Sequence, residues 1–367
     1  MAPPWLPIPP TAYGGTEGVI DRLARGLVAA GHEVRLWTTG NSTCPVPRGF
    51  ELASVERSQM GKVEIELRHV LCGYDWLATQ GCDVIHDHSL AGPLLADRPD
   101  VPTVVTNHGP FSNPELAAIF RRAQHVAAVI AISADHARSA EAAGIRIDRV
   151  IHHGIDPEEL TVGTGAGDAD GPYLLFLGRI AADKGVAEGA RAAVAAGHRL
   201  MIAAKMSEPA ELEYFQREVA PLVDGDRVRY LGEVDGAEKI RLLGGAAALL
   251  NPIRWPEPFG LVMIEAFGCG TPVLTMRQGA APEIVEDGVT GFVCDDGEQL
   301  ADRLGRIDEL DRDACRAAVV GHFSAARMVN DHVELYRQMA DGSPRRVVEL
   351  PAHGGERGTE EPRHMHL

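Results

Sequence analysis

The sequence predicts an α/β protein built from two Rossmann-like, doubly wound domains that face a central cleft. Three observations carry this. Short apolar runs alternate with helical patterns from end to end, as in layers of parallel βαβ units. The 367 residues are too many for one ordinary core and suit two domains of about 150 residues each. A stretch rich in Gly, Asp and Ala, residues 161–171, interrupts the alternation and reads as a linker.

In the first half, apolar runs predict strands over 33–38, 83–86, 103–107, 127–132 and 149–152. Helices are expected over 17–30, 62–79 and 135–143. The first of these sets Val19, Leu23, Leu27 and Val28 on one side and stops at Gly31. After the linker, strands are expected over 173–177, 200–203, 227–231, 247–250, 272–275 and 291–293. The run 173–177 is apolar at every position, as in a central parallel strand covered on both faces. The boundaries that follow are 1–160 for the N-terminal domain, 161–171 for the linker and 172–323 for the C-terminal domain. A final helix over 324–341 and a polar, poorly ordered tail over 342–367 complete the chain. The tail's His353, His364 and His366 read as solvated side chains, not as a metal site.

The start is unusual. Met1 to Pro10 holds five prolines and no apolar strand precedes the first helix. Proline removes ladder donors, so this stretch is not expected to form a central strand. Either the first domain lacks its opening strand or the chain begins downstream of it. A missing strand would leave a gap in the first sheet and could unseat the glycines that follow. Restoring an upstream apolar strand should then raise stability.

Composition excludes several functions. Apolar residues make up 45 % and charged residues 24 %, as in a soluble globular protein. The net charge of −17 argues against nucleic acid as a partner, because phosphate backbones need a basic surface. A local basic pocket for one small anion remains compatible with it. Cys44, Cys72, Cys82, Cys269, Cys294 and Cys315 lack paired spacing, and most sit in apolar runs, so buried free thiols are expected. No signal peptide is expected from these residues, and no apolar run approaches the roughly 20 residues of a membrane helix. A cytoplasmic enzyme is expected, with a peripheral membrane contact left open.

Ligands of doubly wound sheets bind beyond the carboxyl ends of the strands, and four motifs fall there. In Trp255-Pro-Glu-Pro-Phe-Gly-Leu-Val-Met-Ile-Glu-Ala-Phe-Gly268, two prolines stiffen the loop around Glu257. A helix starting near Gly260 is apolar all round and should be buried. Glu265 is then a carboxylate in apolar surroundings that needs partners. Ribose hydroxyls would serve, as would backbone amides or an arginine. Free amides at Gly260 and Leu261 suit an anionic or hydroxyl-rich ligand. In Gly178-Arg-Ile-Ala-Ala-Asp-Lys-Gly185, Arg179 and Lys184 stand on a glycine-bounded turn. The pair suits a diphosphate or a plain solvated turn, and the spacing is not that of a Gly-x4-Gly-Lys phosphate loop. Gly14 and Gly15 in Tyr13-Gly-Gly-Thr-Glu17 precede a helix, where amides approach a phosphate or merely turn the chain. His108 ends the run Val104-Val-Thr-Asn-His108-Gly109 and could meet a sugar hydroxyl, or be structural. His86, His88, His152 and His153 lie on different strands without a metal-binding helix motif, so no metal site is expected.

In this order the clusters resemble the family 4 retaining glycosyltransferases of the GT-B fold. The resemblance runs from Tyr13 to about Met339. It is strongest over Leu175-Phe-Leu-Gly-Arg-Ile-Ala-Ala-Asp-Lys-Gly185, Glu257-Pro-Phe-Gly-Leu-Val-Met-Ile-Glu265, Gly270-Thr-Pro-Val and Gly288-Val-Thr-Gly-Phe292. It implies a hexosyltransferase-like enzyme with an acceptor-side first domain, a donor-binding second domain and a last helix that crosses back. By resemblance, Glu257 meets donor-sugar hydroxyls and the amides of Phe259, Gly260 and Leu261 bind near the sugar and diphosphate. Glu265 takes the ribose hydroxyls. Arg179 and Lys184 neutralise the leaving diphosphate without a metal or other cofactor. Gly14 and Gly15 close over the phosphates, and His108 contacts the transferred sugar. The partners implied are a nucleotide-sugar donor, with uridine the expected base, and an unknown sugar, lipid or small-molecule acceptor. One small departure is Ala203-Ala-Lys205, where such enzymes often carry a glycine.

Two other readings stay open on the residues alone. One keeps the fold but makes the chain a nucleotide-sugar epimerase or a phosphorylase. The other is a non-catalytic nucleotide-sugar binding protein.

Overall fold

A computed structural model describes residues 1–11, 14–98 and 100–342. Tyr13 and the tail beyond Gly342, with its three histidines, lie outside the described residues. The first half runs α1 (Gly15–Ala29), β1 (Leu36–Trp37), β2 (Arg48–Gly49), α2 (Val63–Leu77), β3 (Ile85–Asp87), β4 (Thr103–Thr106), α3 (Pro114–Ala123), β5 (Ala127–Ala131), α4 (Ala134–Ala142) and β6 (Arg149–Val150). The second half runs β7 (Leu174–Arg179), α5 (Val186–Ala195), β8 (Leu200–Lys205), α6 (Pro209–Tyr214), β9 (Val228–Gly232), α7 (Gly236–Gly245) and β10 (Ala248–Asn251). It continues with α8 (Leu261–Gly268), β11 (Val273–Met276), α9 (Ala281–Ile284), β12 (Gly291–Cys294), α10 (Gly297–Leu304), α11 (Arg312–His322) and α12 (Ala325–Ala340).

Each half has its own parallel sheet. The second-half sheet is ordered β12-β11-β10-β7-β8-β9, so the all-apolar run becomes an interior strand. Leu174 and Leu175 are fully buried, one in each of the cores on the two faces of that sheet. This is the burial that a central parallel strand demands. The first-half sheet is ordered β3-β4-β5-β6, and β1 pairs with β2 in a separate two-stranded ladder.

Among the described residues no strand precedes α1, and the β1-β2 ladder is separate from β3-β4-β5-β6, but the first two residues reach into the space between them. The Ala2 N–H donates to the Trp37 carbonyl at 2.9 Å, and the Met1 carbonyl accepts from the His88 N–H at 3.0 Å. Met1 and Ala2 thus lie between the end of β1 and the end of β3. The prolines that follow leave the ladder, for want of donors. Gly14 is not unseated either: its Cα packs so closely on Pro10 that a Cβ there would stand 2.5 Å from the Pro10 Cβ.

Residues 160–165 are fastened to the second half. The Gly163 N–H donates to the Cys269 carbonyl at 3.1 Å and the Gly165 N–H to the Gly244 carbonyl at 3.0 Å. The Arg312 guanidinium donates to the Gly163, Gly244 and Ala246 carbonyls. The chain passes between the halves a second time at Ser324, where Ile155 and Ser324 form a parallel bridge. The last helix, α12, then lies against α1, with Met328, Val329 and Val333 packed among Val19 and Leu23. No described helix is long and apolar enough to cross a membrane. All six cysteines are free, and four of them are buried.

Candidate active site

A cleft of about 770 Å³ opens between the two sheets at the carboxyl ends of their strands. All ten residues singled out in the sequence line it: Gly14, Gly15 and His108 from the first half, and Arg179, Lys184, Glu257, Phe259, Gly260, Leu261 and Glu265 from the second.

The basic side is set by strand register. Arg179 ends β7 and pairs with Lys205 at the end of β8, so two cations stand side by side where the sheet stops. Lys184 follows on the turn, its ammonium ion-paired with Glu257 and 5.6 Å from the centre of the Trp255 ring. Arg179 Nη1 donates to Glu211 Oε1 at 3.0 Å. These cations gather on one side of a cleft whose lining also carries carboxylates, among them Glu17, Glu233 and Glu257.

The Glu257 loop is pinned from both sides. Its N–H donates to the Trp255 carbonyl at 2.8 Å, and its carbonyl accepts the Ala280 N–H at 3.0 Å. Gly279 lies flat against it at φ +53°, where a Cβ would stand 2.3 Å from the Glu257 carbonyl oxygen. Only a glycine satisfies both the left-handed φ and the close approach.

Helix α8 corrects one expectation. It is not buried all round: Leu261, Val262 and Glu265, at helical spacing on one face, are half-buried and line the cleft. The opposite residues, Met263, Ile264, Ala266 and Phe267, are in the core. Glu265 is 16 % exposed and accepts from Lys239 Nζ at 2.7 Å. Its partner is therefore a lysine of α7, where the sequence suggested ligand hydroxyls, backbone amides or an arginine.

Two helix N-termini meet across the cleft. A Cβ on Gly15, the first residue of α1, would stand 3.1 Å from Leu261 Cδ1 at the first residue of α8. The first-turn N–H groups and the dipole of a helix favour an anion at such a place.

His108 belongs to a buried array. Because β3, β4 and β6 are in one sheet, the histidines after their ends come together. His108 Nε2 and His88 Nδ1 share a hydrogen bond of 3.0 Å. His108 stacks on His153 at 5.2 Å, and His153 meets the Phe259 ring edge-on at 5.0 Å. His86 bonds Tyr336 of α12 at 2.6 Å and Thr106 at 2.8 Å. Burial, with the charge that His136 and His332 would add, pushes the His108 ring down to about 3. It faces the cleft as a neutral imidazole. Among the described residues no cluster of three or more His, Cys, Asp or Glu is arranged to hold a metal ion.

Sequence reasoning missed Glu211, Lys205, Lys239 and His153 as parts of this site. Lys205 and His153 carried a usable signal, since each follows an apolar run at a strand's carboxyl end. Glu211 and Lys239 carried none, because they reach the site only through packing of helices α6 and α7.

Lys184 is paired with Glu257 and Lys239 with Glu265, and both pairs line the cleft. A ligand that combines phosphates with hydroxyls can exchange with such pairs, giving anionic oxygens to the cations and hydroxyl donors to the carboxylates.

Comparison with known proteins points the same way. A profile described as Glycosyltransferase Family 4 matches residues 13–159, and one described as Glycosyl transferases group 1 matches residues 171–309. The chain is 30 % identical to the D-inositol 3-phosphate glycosyltransferase of Mycolicibacterium smegmatis, over 94 % of this chain and 91 % of that one. It is 28 % identical to the alpha-maltose-1-phosphate synthase of the same organism, over 71 % of this chain and 80 % of that one. Among solved structures, Anabaena HepE in complex with UDP and glucose shares the fold, with a TM-score of 0.69 at 18 % identity, over 88 % of this chain and 96 % of that one.

Proposed function

From the premise that the chain belongs to glycosyltransferase family 4 and has the GT-B fold, we propose that it moves a sugar from a nucleoside-diphosphate sugar, with uridine as base, to a hydroxyl acceptor. Transfer proceeds with retention of anomeric configuration and without a metal ion. The observation that carries this reading is the convergence of two cation–carboxylate pairs and two helix N-termini on one cleft.

The difficult step is departure of the diphosphate from the anomeric carbon, which builds negative charge on phosphate oxygens. Fixed positive groups at that place stabilise the transition state most. Arg179 and Lys184 supply them, joined by the amides that begin α1 and α8. When Lys184 turns to the diphosphate, Glu257 is released to accept hydrogen bonds from the donor sugar. Glu265 does the same for the ribose, and neutral His108 meets the transferred sugar. The departing phosphate oxygen takes the acceptor hydroxyl's proton as the acceptor oxygen bonds the anomeric carbon from the same face. A cleft closed around the donor keeps out water that would hydrolyse it.

The test is to incubate the protein with UDP-sugars and a panel of sugar, polyol and lipid-alcohol acceptors, and follow the anomeric signals by NMR. The reading expects UDP release, a new glycoside of the donor's own configuration, and a rate unchanged by EDTA. An inverted product, or an epimerised donor formed without any acceptor, would overturn it.

A further inference from the structure

Arg179 and Lys184 are held in different ways, and the difference has a consequence for the reaction. The carboxylate on Lys184 is that of Glu257, which itself lines the cleft and is open to exchange with a ligand. The carboxylate on Arg179 is that of Glu211, which does not line the cleft and is 5 % exposed. Glu211 belongs to α6, beyond the end of β8, and stands behind the guanidinium.

Both oxygens of Glu211 are engaged. Oε1 accepts from Arg179 Nη1 at 3.0 Å, while Oε2 accepts the Ser207 N–H at 2.7 Å and the Glu208 N–H at 3.0 Å. Burial alone would push this carboxyl up, but the two amides and Arg179 outweigh it and hold it below the usual range. It is a fixed anion, built into the turn that opens α6. A planar guanidinium has five donors and can serve a carboxylate with one edge and a phosphate with another. A long, flexible side chain fixed before the ligand arrives loses less freedom on binding.

We propose that Glu211 is a positioning residue for the transfer reaction: it holds Arg179 from behind so that the guanidinium meets the leaving diphosphate already oriented. The proposal rests on the donor reading above. It assigns Glu211 no contact with donor or acceptor, so its effect must run through Arg179.

The experiment starts by titrating the wild type with UDP, ADP and GDP, then takes whichever binds together with its parent nucleoside. Glu211→Gln keeps an oxygen for the Ser207 and Glu208 amides and removes the charge. It should weaken diphosphate binding about tenfold and lower kcat, while affinity for the nucleoside, read by ligand-observed NMR, stays within about twofold. Glu211→Gln on an Arg179→Ala background should add no further loss. Equal weakening of nucleoside and diphosphate, full additivity with Arg179→Ala, or unchanged diphosphate affinity would each overturn the proposal. A wild type that binds none of the three diphosphates would instead overturn the donor reading, and this inference with it.

Discussion

Acidification from pH 7 to pH 5 should destabilise this protein through histidines that are folded as neutral rings. His136 shows the cause most directly. Its Nδ1 accepts the Ile132 N–H at 3.3 Å, its Nε2–H donates to the Gly109 carbonyl at 2.9 Å, and its ring stacks on Phe111 at 4.4 Å. Protonating Nδ1 would place a donor against a donor in an apolar core. Burial accordingly pushes His136 down to about 4, and His69, buried against the Ala2 carbonyl, likewise down to about 4. In the unfolded chain both return to about 6.5. Between those values the unfolded state binds more protons, so stability rises with pH across the window and is lost as pH falls through it. At pH 5 the gap of about 1.5 units below the unfolded value corresponds to about 2 kcal/mol per histidine. The two share no partner and should add to about 4 kcal/mol. Glu17 and Asp87, whose carboxyls burial pushes up, work in the opposite direction, so a variant isolates the effect. Urea unfolding followed by tryptophan fluorescence at pH 7 and pH 5 should show a pH dependence about 2 kcal/mol smaller in His136→Asn than in the wild type. Identical pH dependence in the two proteins would refute the reasoning, and His69→Gln provides an independent second comparison.

Two packing predictions concern how the site is held. Gly26 lets α1 and α12 touch, since a Cβ there would stand 2.4 Å from Val329 Cγ2. Gly26→Val should cost about 1–3 kcal/mol in urea unfolding, and Val329→Ala in the same chain should restore part of it. Gly279→Ala forces a left-handed residue and a Cβ into the Glu257 backbone, so it should cost about 1–3 kcal/mol. It should also depress turnover more than it depresses stability, measured by initial rate against melting temperature.

Much of the fold was legible because alternation of apolar runs and helices is a local signal. The run at 173–177 was read as a central strand from its residues alone, and β7 lies inside the six-stranded sheet. Other elements were missed for local reasons. Strand β2 has two residues, too short for a pattern. Helix α3 was overlooked although its cap is in the sequence: Asn113 accepts from the Glu115 and Leu116 amides, with Pro114 as first helical residue. The prolines were correctly denied a ladder, but nothing local showed that Met1 and Ala2 would reach β1 and β3. The site divides in the same way. Residues on strand ends and tight turns were visible in the sequence, because their position follows from the strand before them. Partners that arrive by helix packing were not, as with Lys239, 26 residues before Glu265, and Glu211, 32 residues after Arg179. Helix α8 was read as wholly apolar since a cleft-facing stripe of Leu261 and Val262 looks like core until the empty space beside it is known.

The central claim is that the cleft's cation–carboxylate pairs exchange for a nucleoside-diphosphate sugar. Calorimetric titration of wild type and Lys184→Ala with UDP tests it most directly. The wild type should bind, and the variant should bind at least about tenfold more weakly, because a charge-assisted contact to phosphate is removed. Equal affinity in the two proteins would contradict it, as would failure of the wild type to bind UDP or any other nucleoside diphosphate.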